Sequence, residues 1–541
     1  MRLRTSVLGM FLLIPLLVGA LADAQISSWK PYLFLNNVGG LNDAFDPTAI
    51  ADTEAADLQN VIFSTGGAIV KRSGFVRLNT VEVGGSGTAA FTGLFMYKQA
   101  DGDRFLVSTV SDGATDRIYA MDYGAGTSGP DGTWDNITGG LSLTFGTDDL
   151  ADFAAAQDIV VIEDGVNTTA PYRWDGTGNA IALAGSPPTS RFVEYHKRIL
   201  WTAGNDTNPS RVTFSNLDDI STWTGTDFFA IETSDGQTVT GLKSALDCLY
   251  VWKQASIFRI CGTNRDDFTQ EQMVTGIGTC SNASIVVINN QFIFTTCQGD
   301  IAVYDGGITV QFLSTKIEGT IAGLNQDRFD QAVAVAFDDG TGDEDYYLSL
   351  SASGAATHNR LLIFDTFHRA WTKFTGIAAN AMVPYEVGTL QEGLAFGNYR
   401  GRANRYPSGD EDFVSGGATT SGIAAFYVTK QYSFPDIPQD KTFRLLEVFA
   451  NQEGSWNLTA TTRADFESVG TASTISLAGS GAVFDTAVFD TDTYADLTTV
   501  IGRVEINKRR RFLQIRYDQS GANQPATIKG WHIWVEPEGR I

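Results

Sequence analysis

The chain has 541 residues, of which 43% are hydrophobic and 18% charged, with 56 glycines. It exceeds one ordinary core and suits a turn-rich, all-β protein of at least two domains. Its 62 acidic against 38 basic residues leave a net charge of −24, which repels phosphate backbones and argues against tight nucleic-acid binding. Such a wall would still let DNA slide past in passive contact.

The first 24 residues read as an export signal. Arg2 and Arg4 give the positive start, Phe11 to Val18 the apolar segment, and Ala22-Asp23-Ala24 the cleavage site, leaving Gln25 as the mature terminus. Pro15 interrupts the apolar run, which is shorter than the roughly 20 residues of a membrane span. After cleavage no membrane-spanning segment is expected. Residues 25–54 read as an irregular lead-in with turn signals at Gly39-Gly40 and Asp46-Pro47, and a hairpin turning at Gly66-Gly67 follows.

From there one phrase recurs. Its clearest copy is residues 247–263, two apolar runs separated by the polar turn Lys253-Gln254-Ala255-Ser256 and stopped at a glycine. Related first strands begin at Arg104, Asp158, Lys197, Asp247, Gln291, Asp345 and Gly393. They are spaced about 40 to 55 residues apart, the period of a β-propeller. Each is followed by a second strand, and several of these end in a turn such as Trp174-Asp175-Gly176, Tyr304-Asp305-Gly306 or Phe364-Asp365-Thr366. Seven units are counted over 55–410, with six or eight as alternatives. The last unit, about 379–409, is one strand short, and the early hairpin at 57–80 is expected to supply that strand and latch the ring. A linker is expected at 411–422. Over 423–541 longer strands alternate cleanly, with Leu513, Ile515 and Tyr517 on one face and Trp531, Ile533 and Val535 repeating the pattern. A C-terminal β-sandwich is the expectation.

No catalytic constellation emerges, and no cofactor is expected. His196, His358, His368 and His532 share no metal-binding spacing, and HExxH, G-x-S-x-G and P-loop motifs are absent. His532 reads as a surface histidine. Asp338, Asp339, Asp343 and Asp345 crowd a glycine-rich turn that offers oxygen ligands for Ca²⁺, against the plainer reading of a solvated hairpin tip. Cys248, Cys261, Cys280 and Cys297 are disulfide candidates in an exported chain, or four thiols packed as small hydrophobes. Lys508-Arg509-Arg510-Arg511 is a phosphate or acidic-partner patch, or the charge that protects an edge strand. Gly132-Thr133-Trp134 only faintly resembles a sialidase Asp-box and is discounted.

In order along the chain stand Asp57-Leu58-Gln59-Asn60-Val61, Gly66-Gly67, Lys71-Arg72-Ser73-Gly74-Phe75, and Phe214-Ser215-Asn216 with Trp223. Asp235-Gly236, Thr240-Gly241-Leu242, the 247–263 core, Gly278-Thr279, Ser284-Ile285-Val286 and Asp300 to Gly306 follow. Over residues 35–410 this order resembles the β-propeller virion proteins of tailed bacteriophages, tail-tube nozzle proteins among them. The resemblance implies a non-enzymatic structural subunit, assembled as a homo-oligomeric ring with other tail proteins and located in the virion tail. The export signal departs from that family and implies, as the rival, a periplasmic or secreted protein. That rival is a carbohydrate-binding or glycoside-hydrolysing propeller using channel carboxylates, or a secreted adhesion module.

Overall fold

The computed structural model describes residues 29–84, 87–123, 129–340, 342–387, 391–414, 420–434, 439–478 and 499–537. The signal-like segment 1–24 and its cleavage site lie outside these. Among the described residues no helix is long and apolar enough to cross a membrane.

Among the described residues seven four-stranded antiparallel sheets follow one another, over 90–136, 152–182, 192–230, 239–275, 286–312, 333–374 and 381–406. The reference phrase folds as read: Cys248–Lys253 pairs with Ser256–Cys261, and Gln254-Ala255 makes the turn. Hairpins between the first and second strands of the second to fifth sheets turn on two consecutive left-handed residues. These are Gln157-Asp158, Lys197-Arg198, Leu246-Asp247 and Asn289-Asn290, each with φ between 49° and 65°. That geometry suits the right-handed twist of the flanking strands.

The first strands of successive sheets touch in a closed circuit. Contacts run from Ala90–Lys98 through Asp152–Ala156, Phe192–His196 and Val239–Ala245, then through the 3-10 turn Asn282–Ser284 to Val333–Phe337 and Ala381–Val387, which touches Ala90–Lys98 again. This is a β-propeller. Large apolar side chains fill the spaces between sheets. Trp201 and Phe214 of the third sheet share a cluster with Leu242, Val251 and Phe258 of the fourth. Tyr250 and Trp252 of the fourth share another with Phe292 and Tyr304 of the fifth.

The final sheet takes its fourth strand from far upstream. Val76–Arg77 pairs with Ala403–Tyr406, Asn404 opposite Arg77 and Arg405 opposite Val76. The latch thus comes from the 57–80 window, but not from its hairpin.

That hairpin, and the lead-in before it, correct the expected domain boundaries. Lys30–Leu35 pairs with Thr527–Pro537, Glu54–Gln59 pairs with Ala425–Thr429, and Ile69–Lys71 pairs with Thr527–Pro537. Residues 30–71 are therefore strands of two six-stranded sheets completed by the C-terminal segment. These two sheets share one apolar core, with Phe443, Leu446, Trp531 and Ile533 from one and Tyr427, Leu458, Leu513 and Ile515 from the other. The same core continues through Leu41, Ala55 and Leu58 to Leu348, Leu362 and Trp371 of the sixth propeller sheet. The expected linker at 411–422 is also corrected: Glu411–Phe413 pairs with Thr420–Gly422. Short strands whose partners lie some 365 residues away, as Gln59 lies from Ala424, leave no local signal.

Candidate functional site

The first strands bring their polar side chains to the propeller axis. Asp152 opens the first strand of the second sheet, Glu194 lies in that of the third, Lys243 in that of the fourth, and Asn282 opens the 3-10 turn that enters the fifth. Asn282 spans the axis. Its Nδ2 donates to Asp152 Oδ2 at 2.9 Å, and its Oδ1 accepts the Leu242 N–H at 3.0 Å. Asp152 Oδ2 also accepts the Val193 N–H at 2.9 Å. One carboxylate–amide pair thus ties four of the seven sheets together.

Cavities flank this bridge and share Leu150, Ala151, Asp152, Asn282 and Ala283 in their walls. One, of about 250 Å³, is bordered by Asp148, Asp149, Arg191, Asp330 and Gln331. The other, of about 190 Å³, is bordered by Phe95, Phe153, Lys243, Asn380 and Met382. Burial pushes Asp152 up to about 6, opposed by hydrogen bonds and by Lys243. Burial likewise pushes Glu194 up to about 7, with Lys243 opposing and Asp152 adding to the shift. His196, whose Nδ1 lies 2.7 Å from Ser244 Oγ, is pushed down to about 4 by burial. It is therefore a neutral imidazole at neutral pH.

Of the residues singled out from sequence, His196 lies beside this site and Cys280 lines the larger cavity, while the proposed Ca²⁺ ligands, the basic run and His532 fall elsewhere. Cys248 is bonded to Cys261 directly across a hairpin, and Cys280 to Cys297. The alternative of packed thiols is thereby removed.

The proposed Ca²⁺ ligands do not converge: among the described residues no three His, Cys, Asp or Glu side chains are placed to hold a metal. Asp338 Oδ1 instead accepts the N–H groups of Gly340 and Gly342 at 2.8 and 3.0 Å, as a turn requires. Asp343 contributes to no cage. Asp339 and Asp345 bear instead on the interior: Asp345 is buried, accepts the Thr366 N–H at 2.9 Å, and is pushed up to about 8 by burial and then by Asp365, Asp339 and Asp338.

This carries a pH prediction. Unfolded, Asp345 loses its proton near 3.8, whereas folded it holds it to about 8. Between those values the unfolded chain binds fewer protons, so this group makes stability fall as pH rises from about 4 to about 8 and contributes no further slope above. Asp345→Asn is expected to flatten the melting temperature across that window and to raise it relative to the parent at pH 8. Scanning fluorimetry across the range checks it, and an unchanged slope would contradict it.

The basic run closes an outer strand. Thr499–Arg510 is the last strand of its sheet, with Lys508 paired to Glu467 at 3.1 Å and Arg511 to Asp440 at 3.5 Å. His532 is partly exposed, 3.6 Å from Glu447.

Sequence reasoning missed Asp152, Glu194, Lys243 and Asn282. Asp152, Glu194 and Lys243 lie on the strand that precedes each strand recognised as the start of a repeat, and Asn282 lies in the turn before Val286–Ile288, so the repeat reading passed over all four. No pattern of residue types marks them.

No family model matches the chain, and no curated protein matches it. Solved structures similar in fold include the Neurospora crassa Pan2 WD40 domain, at TM-score 0.36 and 9% identity, covering 62% of this chain and 96% of that one. YCF48 bound to D1 peptide aligns at TM-score 0.36 and 11% identity, covering 61% and 96%. An exo-β-1,3-galactanase from Phanerochaete chrysosporium aligns at TM-score 0.27 and 12% identity, covering 71% and 95%. Likenesses this distant carry no argument about function, so the site must be read from its own geometry.

Proposed function

We propose that the chain is a non-enzymatic structural subunit of a tailed-phage virion. In this reading the seven four-stranded sheets are the blades of one propeller, and the two six-stranded sheets form a sandwich locked to it. The single observation that carries the reading is where the resemblance residues stand: at the lock. Asp57 to Val61 and Lys71 to Phe75 run through the strands that complete the C-terminal sheets and lead to the closing strand of the ring. Within them Arg72 is fully buried against Asp412. Gly74 packs so closely that a Cβ there would stand 1.9 Å from the Glu411 carbonyl oxygen.

Further along, the resemblance residue Asp235 holds the fully buried ammonium of Lys253 at 2.8 Å. A Cβ on Gly278 would stand 1.9 Å from the Lys253 carbonyl oxygen. Residues conforming to the family pattern therefore hold the fold rather than present chemistry, as a load-carrying assembly part requires. Copies of the chain associate with one another and with other tail proteins. The DNA passage of such a ring lies between copies, because Asn282 and Asp152 bridge the propeller's own axis.

Peptide mass spectrometry on density-purified virus particles and on the cell-free medium of the source culture tests this. Stoichiometric recovery in particles is expected. Free protein in the medium beginning at Gln25, with none in particles, would overturn the reading in favour of a secreted propeller.

A further inference from the structure

The two C-terminal sheets divide their faces differently. In Leu513–Gln519 the division is the ordinary one: Leu513, Ile515 and Tyr517 are buried in the core, and Gln514, Arg516 and Asp518 alternate with them on the other face. The other sheet departs from it. On the face away from its buried Trp531, Ile533 and Val535, the register sets Pro31, Leu33 and Leu35 beside Trp534 and His532. Leu445 and Phe449 follow on the next strand, and Ile501 lies beside Phe449 on the last. Leu33, Leu35 and Ile501 are 52%, 49% and 55% exposed. Trp29 continues the row, 41% exposed, with the Arg444 guanidinium 5.8 Å from its ring. One side of four adjoining strands is thus apolar and open to solvent.

With strands about 4.8 Å apart and about 3.4 Å per residue, six residues of each make a face on the order of 400 Å². Apolar patches of that size mark binding surfaces. Its charges cancel: Arg444, Arg503 and Arg509 share the face with Glu447, Glu505 and Glu536. Arg503 Nε lies 2.9 Å from Glu447 Oε1, Glu447 Oε2 accepts the Trp534 Nε1–H at 3.0 Å, and Arg444 pairs with Glu536. A flat partner covers these pairs without leaving one charge alone. In a chain of net charge −24 copies repel one another, and a face whose charges cancel is where that cost is smallest. Among the described residues, other exposed large apolar side chains such as Val81, Ile181, Ile308 and Val469 stand on separate loops and strands. The matching apolar surface is therefore the same face of a second copy.

We propose that two copies pair through this face about a two-fold axis, sheet against sheet, with Leu33 and Ile501 inside the contact. The small area makes the pairing concentration-dependent rather than permanent. The proposal goes beyond the virion reading: a secreted propeller would pair in the same way, so recovery in particles and this contact fail separately.

Sedimentation velocity on the purified full chain, from low to high micromolar concentration, is the test. A shift from monomer to dimer is expected. Leu33→Glu and Ile501→Glu alter the first and last of the four strands. Each is expected to weaken the pairing about tenfold or more, by setting carboxylates into an apolar contact, and to leave the melting temperature unchanged. Either variant serves alone should the other fail to fold. A parent that stays monomeric throughout, even if it binds phosphatidylcholine vesicles, would overturn the proposal. So would a dimer that the folded variants keep at the parent's strength.

Discussion

A chain beginning at Leu78 is expected not to fold. The deletion removes Lys30–Leu35 and Ile69–Lys71 from Thr527–Pro537, Glu54–Gln59 from Ala425–Thr429, and Val76–Arg77 from the last propeller sheet. It strips Leu41, Leu58, Val61, Phe63 and Ile69 from the core that runs through both modules, every one of them under 5% exposed. Fully burying each such side chain contributes about 1.5–3 kcal/mol. The loss is therefore on the order of 10 kcal/mol before any strand pairing is counted, against a typical total of about 5–15 kcal/mol. It also leaves three strands, Thr527–Pro537, Ala425–Thr429 and Ala403–Tyr406, with open edges, which favours aggregation. Expression followed by size-exclusion chromatography checks this, and a monodisperse, cooperatively melting product would contradict it.

Arg72→Ala is expected to destabilise the intact chain by about 3–5 kcal/mol, the cost of leaving a buried partner charge unpaired. All five guanidinium N–H groups are used. Nε donates to Asn60 Oδ1 at 2.9 Å, Nη1 to Ser73 O and Asp412 Oδ1, both at 2.8 Å, and Nη2 to Thr375 O at 2.7 Å and Asp412 Oδ2 at 2.6 Å. These acceptors belong to the N-terminal segment, the end of the sixth sheet and the segment after the seventh, so one side chain joins three parts of the chain. Asn60, itself at φ 55°, extends the network to Ala424 O at 2.9 Å and Thr375 Oγ1 at 3.0 Å. Lysine offers a point charge without the fork, so Arg72→Lys should recover only part of the loss. Denaturant titration measures both variants. A shift under about 1 kcal/mol for Arg72→Ala would place the pair among weak surface bridges instead.

The propeller was legible because its information is local. Each hairpin joins neighbours in sequence, as Cys248–Lys253 joins Ser256–Cys261, and the repeat spacing survives changes of residue type. The faces of the last strands were legible for the same reason: Leu513, Ile515, Trp531 and Ile533 are all fully buried. What escaped was non-local. Lys30–Leu35 is six residues long with an exposed outer face, and its inward Tyr32 and Phe34 make sense only beside Phe434, Tyr432 and Trp531. The turns at Lys197-Arg198 and Leu246-Asp247 are left-handed without a glycine or asparagine, so their type was hidden. The channel was hidden more deeply. Asp152, Glu194, Lys243 and Asn282 are ordinary polar residues until four sheets bring them to one axis.

The claim on which the account rests is that the N-terminal strands are an integral part of both modules. A protease site inserted beside Val81, which is 74% exposed, followed by cleavage of the folded protein and gel filtration in buffer, tests it most directly. The account predicts that the two pieces stay together through the column and separate only in denaturant. Release of the N-terminal piece in buffer, with the remainder still folded, would contradict it.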